Sequence, residues 1–443
     1  MDANWWMIIL LIVMTGVAVW LGRAWFHRWF NPLSLYSALW GFCFISYEFK
    51  LIQYYPVRLM AWVYAAIASI CLYFGSAFVL FLSGPVLRAP RPSFVVDKIR
   101  LKRSILFLSF LGAIGVADQI RGVANHFGNP LVAVFVNAGD IYTERVSGLA
   151  TGVPYFSSFL FVACILAGVY TASVGKLTLA ASAPLILETL NNIFGMFRGG
   201  VIMAAFLFLV AFLYTPRSTK FSVKRWQQIV AASLALVILI GGFAFVSSTR
   251  GLGVDFPGIT PAMEKITEFI PVFPSIYSNF SAPPVALSMY LASSHEARRG
   301  HWGEFAFWPV FRLLERLGVS RSEPRFEEDY YTPVPTNTAT YVKNLDSDFG
   351  LPGVVFFPLL LGGSMTALIR GVELRFRFLY LLILSNLYLI VVFSFVVNFM
   401  AQGSWYISVA GGIVTGLVLD GPSKARKFLA TSRITAASVE GGL

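Results

Sequence analysis

Charge is what this 443-residue sequence has least of: 13% of its residues are Asp, Glu, Lys or Arg, against 57% hydrophobic. An ordinary soluble domain carries about a quarter charged residues. A soluble chain of this length divides into two or three domains, each with a charged surface to cover, and the supply here is too small. A lipid-facing exterior needs no such charge. Acidic residues are the scarcer sign, 22 against 34 basic, for a formal charge of +12. That excess invites a nucleic-acid reading. The basic residues, however, stand in short runs between apolar stretches, as membrane topology requires. No nucleic-acid partner is expected.

Ligating and nucleophilic side chains are also few. Cys43, Cys71 and Cys164 all fall in apolar stretches, with no CxxC and no Cys/His cluster of zinc spacing, and read as small core residues. The four histidines, His27, His126, His295 and His301, accompany no serine or cysteine motif. The sequence has no HExxH, GxSxG, Walker A or dinucleotide fingerprint. No cofactor and no metal is expected. The N-terminus lacks a basic n-region and a small-residue cleavage site, so the first apolar run is expected to be a retained helix.

What the sequence has in quantity is apolar runs near the roughly 20 residues that cross a hydrocarbon core. Eleven are candidates: 5–21, 32–47, 59–82, 104–117, 155–174, 177–194, 200–214, 226–246, 351–368, 378–399 and 405–419. With the N-terminus outside, the basic runs around Arg23 and Arg28, Arg88 to Arg103, Arg217 to Arg225, Arg370 to Arg377 and Lys424 to Arg433 all fall inside. The expected fold is all-α: a polytopic membrane protein of about eleven transmembrane helices, N-terminus outside and C-terminus cytoplasmic. Residues 1–246 form a first transmembrane block of eight helices, 247–350 a large external loop, 351–419 a second block of three, and 420–443 a cytoplasmic tail. A shorter external segment covers 118–154. The large loop is too long for a connector. Within it, 305–317 reads as an amphipathic helix suited to the outer membrane interface, and 262–270 as a weaker one. No internal repeat supports an inverted-repeat transporter.

Each ionisable group near a span carries a functional reading beside a structural one. Arg198, in Phe197-Arg198-Gly199-Gly200, falls at the outer rim, where two glycines admit a ligand closely. A guanidinium there forks onto phosphate oxygens; the alternative is a snorkelling boundary arginine. Arg250, followed by Gly251, repeats the setting, with a helix C-terminal cation as the alternative. Glu188 is the one acidic residue well inside a predicted span, and Asn191 and Asn192 extend it into a polar stripe. It reads as a functional carboxylate or as an interhelical hydrogen-bond anchor. Asp348, just before the ninth span, reads as a general base at the outer surface or as the N-cap of that span. The segment 330–341 mixes hydroxyls, amides and aromatics, among them Thr336, Asn337, Thr338 and Tyr341. That mixture suits sugar rings, and equally an ordinary polar loop. Glu327-Glu328-Asp329 reads as a solvated acidic patch.

Taken in order, several of these pieces resemble a family, the bacterial oligosaccharide repeat-unit polymerases, or Wzy-type O-antigen polymerases. They are Asn31-Pro32-Leu33, Tyr142-Thr143-Glu144-Arg145, Phe197-Arg198-Gly199-Gly200 and Arg250-Gly251. After them come Phe311-Arg312-Leu313-Leu314-Glu315-Arg316-Leu317-Gly318, Pro335-Thr336-Asn337-Thr338-Ala339-Thr340-Tyr341, and Asp348-Phe349-Gly350 with Gly353. The resemblance implies a GT-C-like integral-membrane glycosyltransferase of the bacterial inner membrane, with its active site facing the periplasm. Such enzymes transfer a growing glycan from undecaprenyl pyrophosphate onto a new lipid-linked repeat unit, without a metal or a nucleotide sugar. The implied partners are the lipid-linked donor and acceptor, membrane lipids, a chain-length regulator and a flippase. The physics runs the same way. A leaving lipid pyrophosphate builds negative charge that arginines stabilise. Arg198 and Arg250, with Arg145 assisting, are the expected pyrophosphate contacts, and Asp348 or Glu188 the expected base. An O-antigen ligase using the same donor is the nearest alternative. A lipid-linked glycan transporter needs a charged interior cavity, and the predicted spans offer little beyond Glu188.

Overall fold

The computed structural model describes residues 4–84, 97–147, 155–197, 199–216, 257–293, 302–319, 330–333, 335–336 and 339–421. Among them are sixteen α-helices and one two-stranded ribbon. The helices are α1 (Trp5–Phe26), α2 (Pro32–Glu48), α3 (Leu59–Ser83), α4 (Lys98–Phe127), α5 (Pro130–Val136), α6 (Ala138–Ser147), α7 (Phe159–Val174) and α8 (Leu179–Gly195). They continue with α9 (Gly199–Tyr214), α10 (Pro261–Phe269), α11 (Phe273–Ala292), α12 (Trp308–Arg316), α13 (Tyr341–Phe349), α14 (Leu351–Leu374), α15 (Phe378–Phe393) and α16 (Gly403–Asp420). Strands β1 (Tyr330–Tyr331) and β2 (Pro335–Thr336) pair antiparallel. The architecture is all-α. Trp5–Phe26, Leu59–Ser83, Phe156–Val174 and Leu351–Leu374 are long and apolar enough to cross a membrane. Gly199–Tyr214 and Phe378–Phe393 are shorter apolar helices.

Small residues set the closest helix crossings, as expected where lipid supplies no hydrophobic drive between helices. A Cβ on Gly75 of α3 would lie 1.8 Å from the Leu359 carbonyl oxygen of α14, and one on Gly362 would lie 2.1 Å from the Leu72 carbonyl oxygen. The backbones therefore touch there. The α1–α2 hairpin is built similarly, with Gly41 against Thr15 and Gly22 against Ser34. Its turn is closed by Asn31, which is fully buried and caps α2 by accepting the Ser34 amide at 2.9 Å. Pro32 occupies the first helical turn, where its missing N–H costs nothing.

Ten of the predicted spans fall on observed helices, and the eleventh, 226–246, lies outside the described residues. Two boundaries differ in an informative way. The expected span 104–117 is the middle of the 30-residue α4, which starts at Lys98 because Asp97 caps the Arg100 amide at 3.0 Å. The basic run after it is thus the helix's first turns rather than a loop. The expected span 378–399 stops at Phe393, although the sequence stays apolar beyond it. There the Ser394 carbonyl accepts the Tyr341 amide at 2.9 Å and its hydroxyl accepts from the Trp40 indole at 2.9 Å. Asn398 donates to the Ala306 carbonyl at 3.2 Å. Tertiary hydrogen bonds satisfy the backbone that the helix releases.

The long segment 247–350 contains the two expected amphipathic helices, as α10 and α12, and one that hydropathy did not reveal. Helix α11 runs 20 residues through Pro283 and Pro284. Its Ala286, Leu287 and Tyr290 belong to the main buried core. It holds the end of α2 and the connection that follows: Tyr54 bonds Ser281 at 2.8 Å, the Arg58 amide donates to Ser288 at 2.9 Å, and Tyr277 donates to the Ser46 carbonyl. Burial pushes the Tyr277 hydroxyl up to about 12 and raises that of Tyr54 as well. Helix α12 buries none of its residues. Val310, Leu313 and Leu317 are exposed along one side, while Arg312 pairs with Glu315 at 3.0 Å on another.

Candidate active site

Two helices show which residues share an end of the bundle. The C-terminal Tyr214 of α9 lies under the Arg28 guanidinium, 4.7 Å from ring to charge, and Glu373, in the last turn of α14, pairs with the same Arg28. Helices α9 and α14 therefore finish together, and their first residues, Gly199 and Leu351, stand at the opposite end. Glu188 packs against Gly200 and Asp348 immediately precedes α14. The two candidate carboxylates thus occupy the same end of the molecule, though they hold different elements.

Glu188 is buried in α8, and the expected polar stripe is real. Asn191 donates to the carboxylate at 3.3 Å and Asn192 at 2.7 Å. Asn192 does more. Its side-chain oxygen accepts the Gly200 amide at 3.1 Å, and its backbone carbonyl accepts the Phe197 amide at 3.1 Å. One residue thereby ties both sides of position 198. Helix α8 closes on Met196, left-handed at φ 49° and fully buried. A Cβ on Gly200 would lie 2.4 Å from Asn192 Oδ1 and 2.6 Å from Glu188 Oε1, so only glycine fits. The α5–α6 arm covers this turn. Ala133, Val134, Ala138 and Ile141 form a separate small core with Phe194 and Met196. Helix α6, which carries Arg145, is thereby placed beside the end of α8. His126 Nδ1 lies 3.9 Å from Glu144 on the same arm.

Asp348 serves a different element. It lies in α13, buried, and its two oxygens accept the Phe305 amide at 3.1 Å and the Ala306 amide at 2.5 Å. Asn398 holds the Ala306 carbonyl of the same turn. Asp348 is therefore not the N-cap of the following span. That position is Gly350, at φ 64°, with no side-chain cap. Asp346, two residues earlier, accepts from Tyr290 at 3.1 Å. The two aspartates fix the approach to α12 and the flank of α11.

Of the residues expected at sugar, Tyr341 is fully buried, with its hydroxyl 3.0 Å from that of Tyr36 and its ring edge-on to Trp40. It is a core residue at the start of α13. Thr336 pairs with Tyr330 in the ribbon, whose Tyr330 ring faces Lys343 at 4.7 Å. Arg198, Arg250, Asn337 and Thr338 lie outside the described residues, as does the side chain of Arg145. Among the described residues, no three His, Cys, Asp or Glu side chains converge as metal ligands. Asn192 and Asn398 hold structural roles that their local sequence does not reveal. Asn192 was legible as part of a stripe; nothing local marked Asn398. No protein family, curated protein or solved structure matches the chain.

Proposed function

We propose that the chain is an integral-membrane glycosyltransferase that polymerises undecaprenyl-pyrophosphate-linked oligosaccharide repeat units, at the periplasmic face of a bacterial inner membrane. The observation that carries this reading is the Glu188–Asn192–Gly200 network, a buried carboxylate tied through Asn192 to the start of α9, next to Arg198 in the sequence. A carboxylate and an arginine together provide the two charges that metal-free glycosyl transfer needs. The acceptor hydroxyl oxygen attacks the anomeric carbon of the donor glycan as the bond to the pyrophosphate oxygen breaks. The proton passes to the carboxylate, and undecaprenyl pyrophosphate leaves with its added charge facing arginine. Attack opposite the leaving group inverts the anomeric centre.

The geometry supports a division of labour between the two acids. Asp348 has both oxygens on backbone N–H groups, which suits an anchor for the 302–307 turn. Glu188 is held by side-chain amides and packs against Gly200, which suits the base. Arg198 and Arg250 are the proposed pyrophosphate contacts, with Arg145 brought near by α6. Helix α12, unburied and amphipathic, fits the outer membrane interface where a lipid-linked substrate arrives. The test is purified protein in nanodiscs with a lipid-linked repeat unit and no ATP. A glycan ladder from the wild type and none from Glu188→Gln is the expected result; no ladder from folded wild type with a competent substrate overturns the reading.

A further inference from the structure

The end of the bundle opposite this site carries two adjoining cavities, of about 460 Å³ and about 270 Å³, that meet at His27. The smaller is lined by Arg28, Tyr214 and Glu373 and is electrostatically closed, because Arg28 pairs with Glu373. The larger is lined by Trp20, Arg23, Ala24 and His27, with no acidic residue. Among the described residues no carboxylate pairs with Arg23 or His27. Arg23 is stacked on the Trp29 indole at 4.1 Å, which occupies a face of the guanidinium and leaves its N–H edge for an in-plane acceptor. Basic residues at a helix C-terminus are favoured by the dipole. The dipole accounts for neither the cavity nor the stacked indole.

We infer that this cavity binds the phosphate headgroup of an anionic phospholipid. Helix α1 is the least buried of the four long apolar helices among the described residues, with 11% of its apolar window buried. Val13, Val17, Trp20, Ala24 and His27 recur at four- and three-residue intervals and so form one stripe along it. Val13, Val17 and Trp20 are exposed and apolar. The stripe gives an acyl chain a track that ends at Arg23 and His27, where the phosphate sits. Trp20 and Trp29 take the headgroup level, as amphipathic indoles do at a bilayer boundary. A basic recess at the end of membrane helices is a recurrent headgroup site, and this one is open on its outer side, as a headgroup arriving from the bilayer requires. Free phosphate would use the same two side chains without the track. This site is independent of the proposed transferase reaction and of which leaflet this end occupies.

The test is native mass spectrometry of the delipidated full chain offered phosphatidylglycerol and phosphatidylcholine in equal amounts. Phosphatidylglycerol should be retained selectively. Arg23→Gln should lower its occupancy about tenfold, the size of one charge-assisted hydrogen bond, with Arg23→Lys between. His27→Gln, at an exposed turn, should weaken it without altering the unfolding temperature. Equal retention of the two lipids by the wild type overturns the proposal, as does selectivity unchanged in both glutamine variants. Release of the lipid by millimolar inorganic phosphate reassigns the cavity to free phosphate and also overturns it. The wild-type comparisons decide the matter even where a variant does not fold.

Discussion

The side-chain oxygen of Asn192 accepts the Gly200 amide at 3.1 Å while its amide nitrogen holds Glu188 at 2.7 Å. The carboxylate and the first turn of α9 are therefore one unit. A methyl group at Gly200 would fall inside both contacts, 2.4 Å from Asn192 and 2.6 Å from Glu188. Gly200→Ala should destabilise the protein by about 1–3 kcal/mol and abolish the glycan ladder. At Gly199 the nearest atoms are the end of Met203 and the Phe197 ring at 3.1 Å, both able to give way. Gly199→Ala should keep more of both. Thermal unfolding in detergent and ladder length at matched protein level read the contrast; equal damage at the two positions would break the link between the network and activity.

Asp348 and Glu188 should separate by phenotype. Asparagine at 348 keeps one acceptor oxygen but turns an NH₂ toward the other backbone N–H. Leaving a buried donor unsatisfied costs about 1–3 kcal/mol, so Asp348→Asn should lower stability and reduce activity in proportion to the folded fraction. Glu188→Gln retains an oxygen for the asparagine amides and should fold normally while failing to transfer glycan. Single-turnover assays on the folded fraction distinguish them. A fully active Glu188→Gln removes Glu188 as the base.

The sequence made the helices legible because their spans are uniformly apolar, and composition alone excluded a soluble fold. It hid three things for physical reasons. The break after Phe393 is stabilised by partners distant in sequence, Trp40, Tyr341 and Ala306, so no local residue marks it. Helix α11 was masked by Pro283 and Pro284, which argue against a helix interior, while its burial against the 49–58 connection is tertiary. Asp348 looked catalytic or capping because a lone acid before a span is both; its backbone partners, Phe305 and Ala306, are 43 and 42 residues away. The stripe Glu188–Asn191–Asn192 was readable because its partners share one helix face.

Orientation has a direct check. The 302–319 segment and the α1–α2 turn lie at opposite ends of the bundle, and each has a strongly exposed residue, Val319 at 70% and Trp29 at 59%. Cysteine at Val319 should react with an impermeant thiol reagent on intact spheroplasts, and cysteine at Trp29 only after lysis. Native Cys43 and Cys164 are buried and contribute little background. The reverse pattern would place the Glu188 network on the cytoplasmic side and sink the periplasmic reaction.

The α3–α14 crossing offers a test of the fold that leaves the site untouched. Gly75→Ala puts a Cβ 1.8 Å from a main-chain oxygen, which cannot rotate away, so the two helices must part. The expected loss is about 1–3 kcal/mol or more. Gly16, on the lipid side of α1, has nothing within 4 Å of its would-be Cβ. Gly16→Ala should be neutral or slightly stabilising. Similar unfolding temperatures for both would mean that the helices do not cross at Gly75.

The pyrophosphate contact is tested at Arg198 and Arg250. Each is followed by glycine and each falls, by the basic-residue pattern, on the side where positive charge is disfavoured. Phe197 and Gly200, which flank position 198 in the sequence, are both tied to Asn192. A guanidinium binds a phosphate in two-pronged fashion, and lysine at the same place retains the charge but not the fork. Arg198→Lys should therefore lose activity by about one to two decades, the equivalent of a charge-assisted hydrogen bond of about 1.5–3 kcal/mol. Arg198→Ala should lose at least as much. A snorkelling arginine would tolerate lysine with no change. The measurement is the length distribution of the glycan ladder at matched protein levels, with donor-lipid binding measured separately to show that the loss lies at the pyrophosphate. An unchanged ladder in both Arg198→Lys and Arg250→Lys would remove the arginines from the mechanism and leave Glu188 without the cationic partner that the proposed transfer requires.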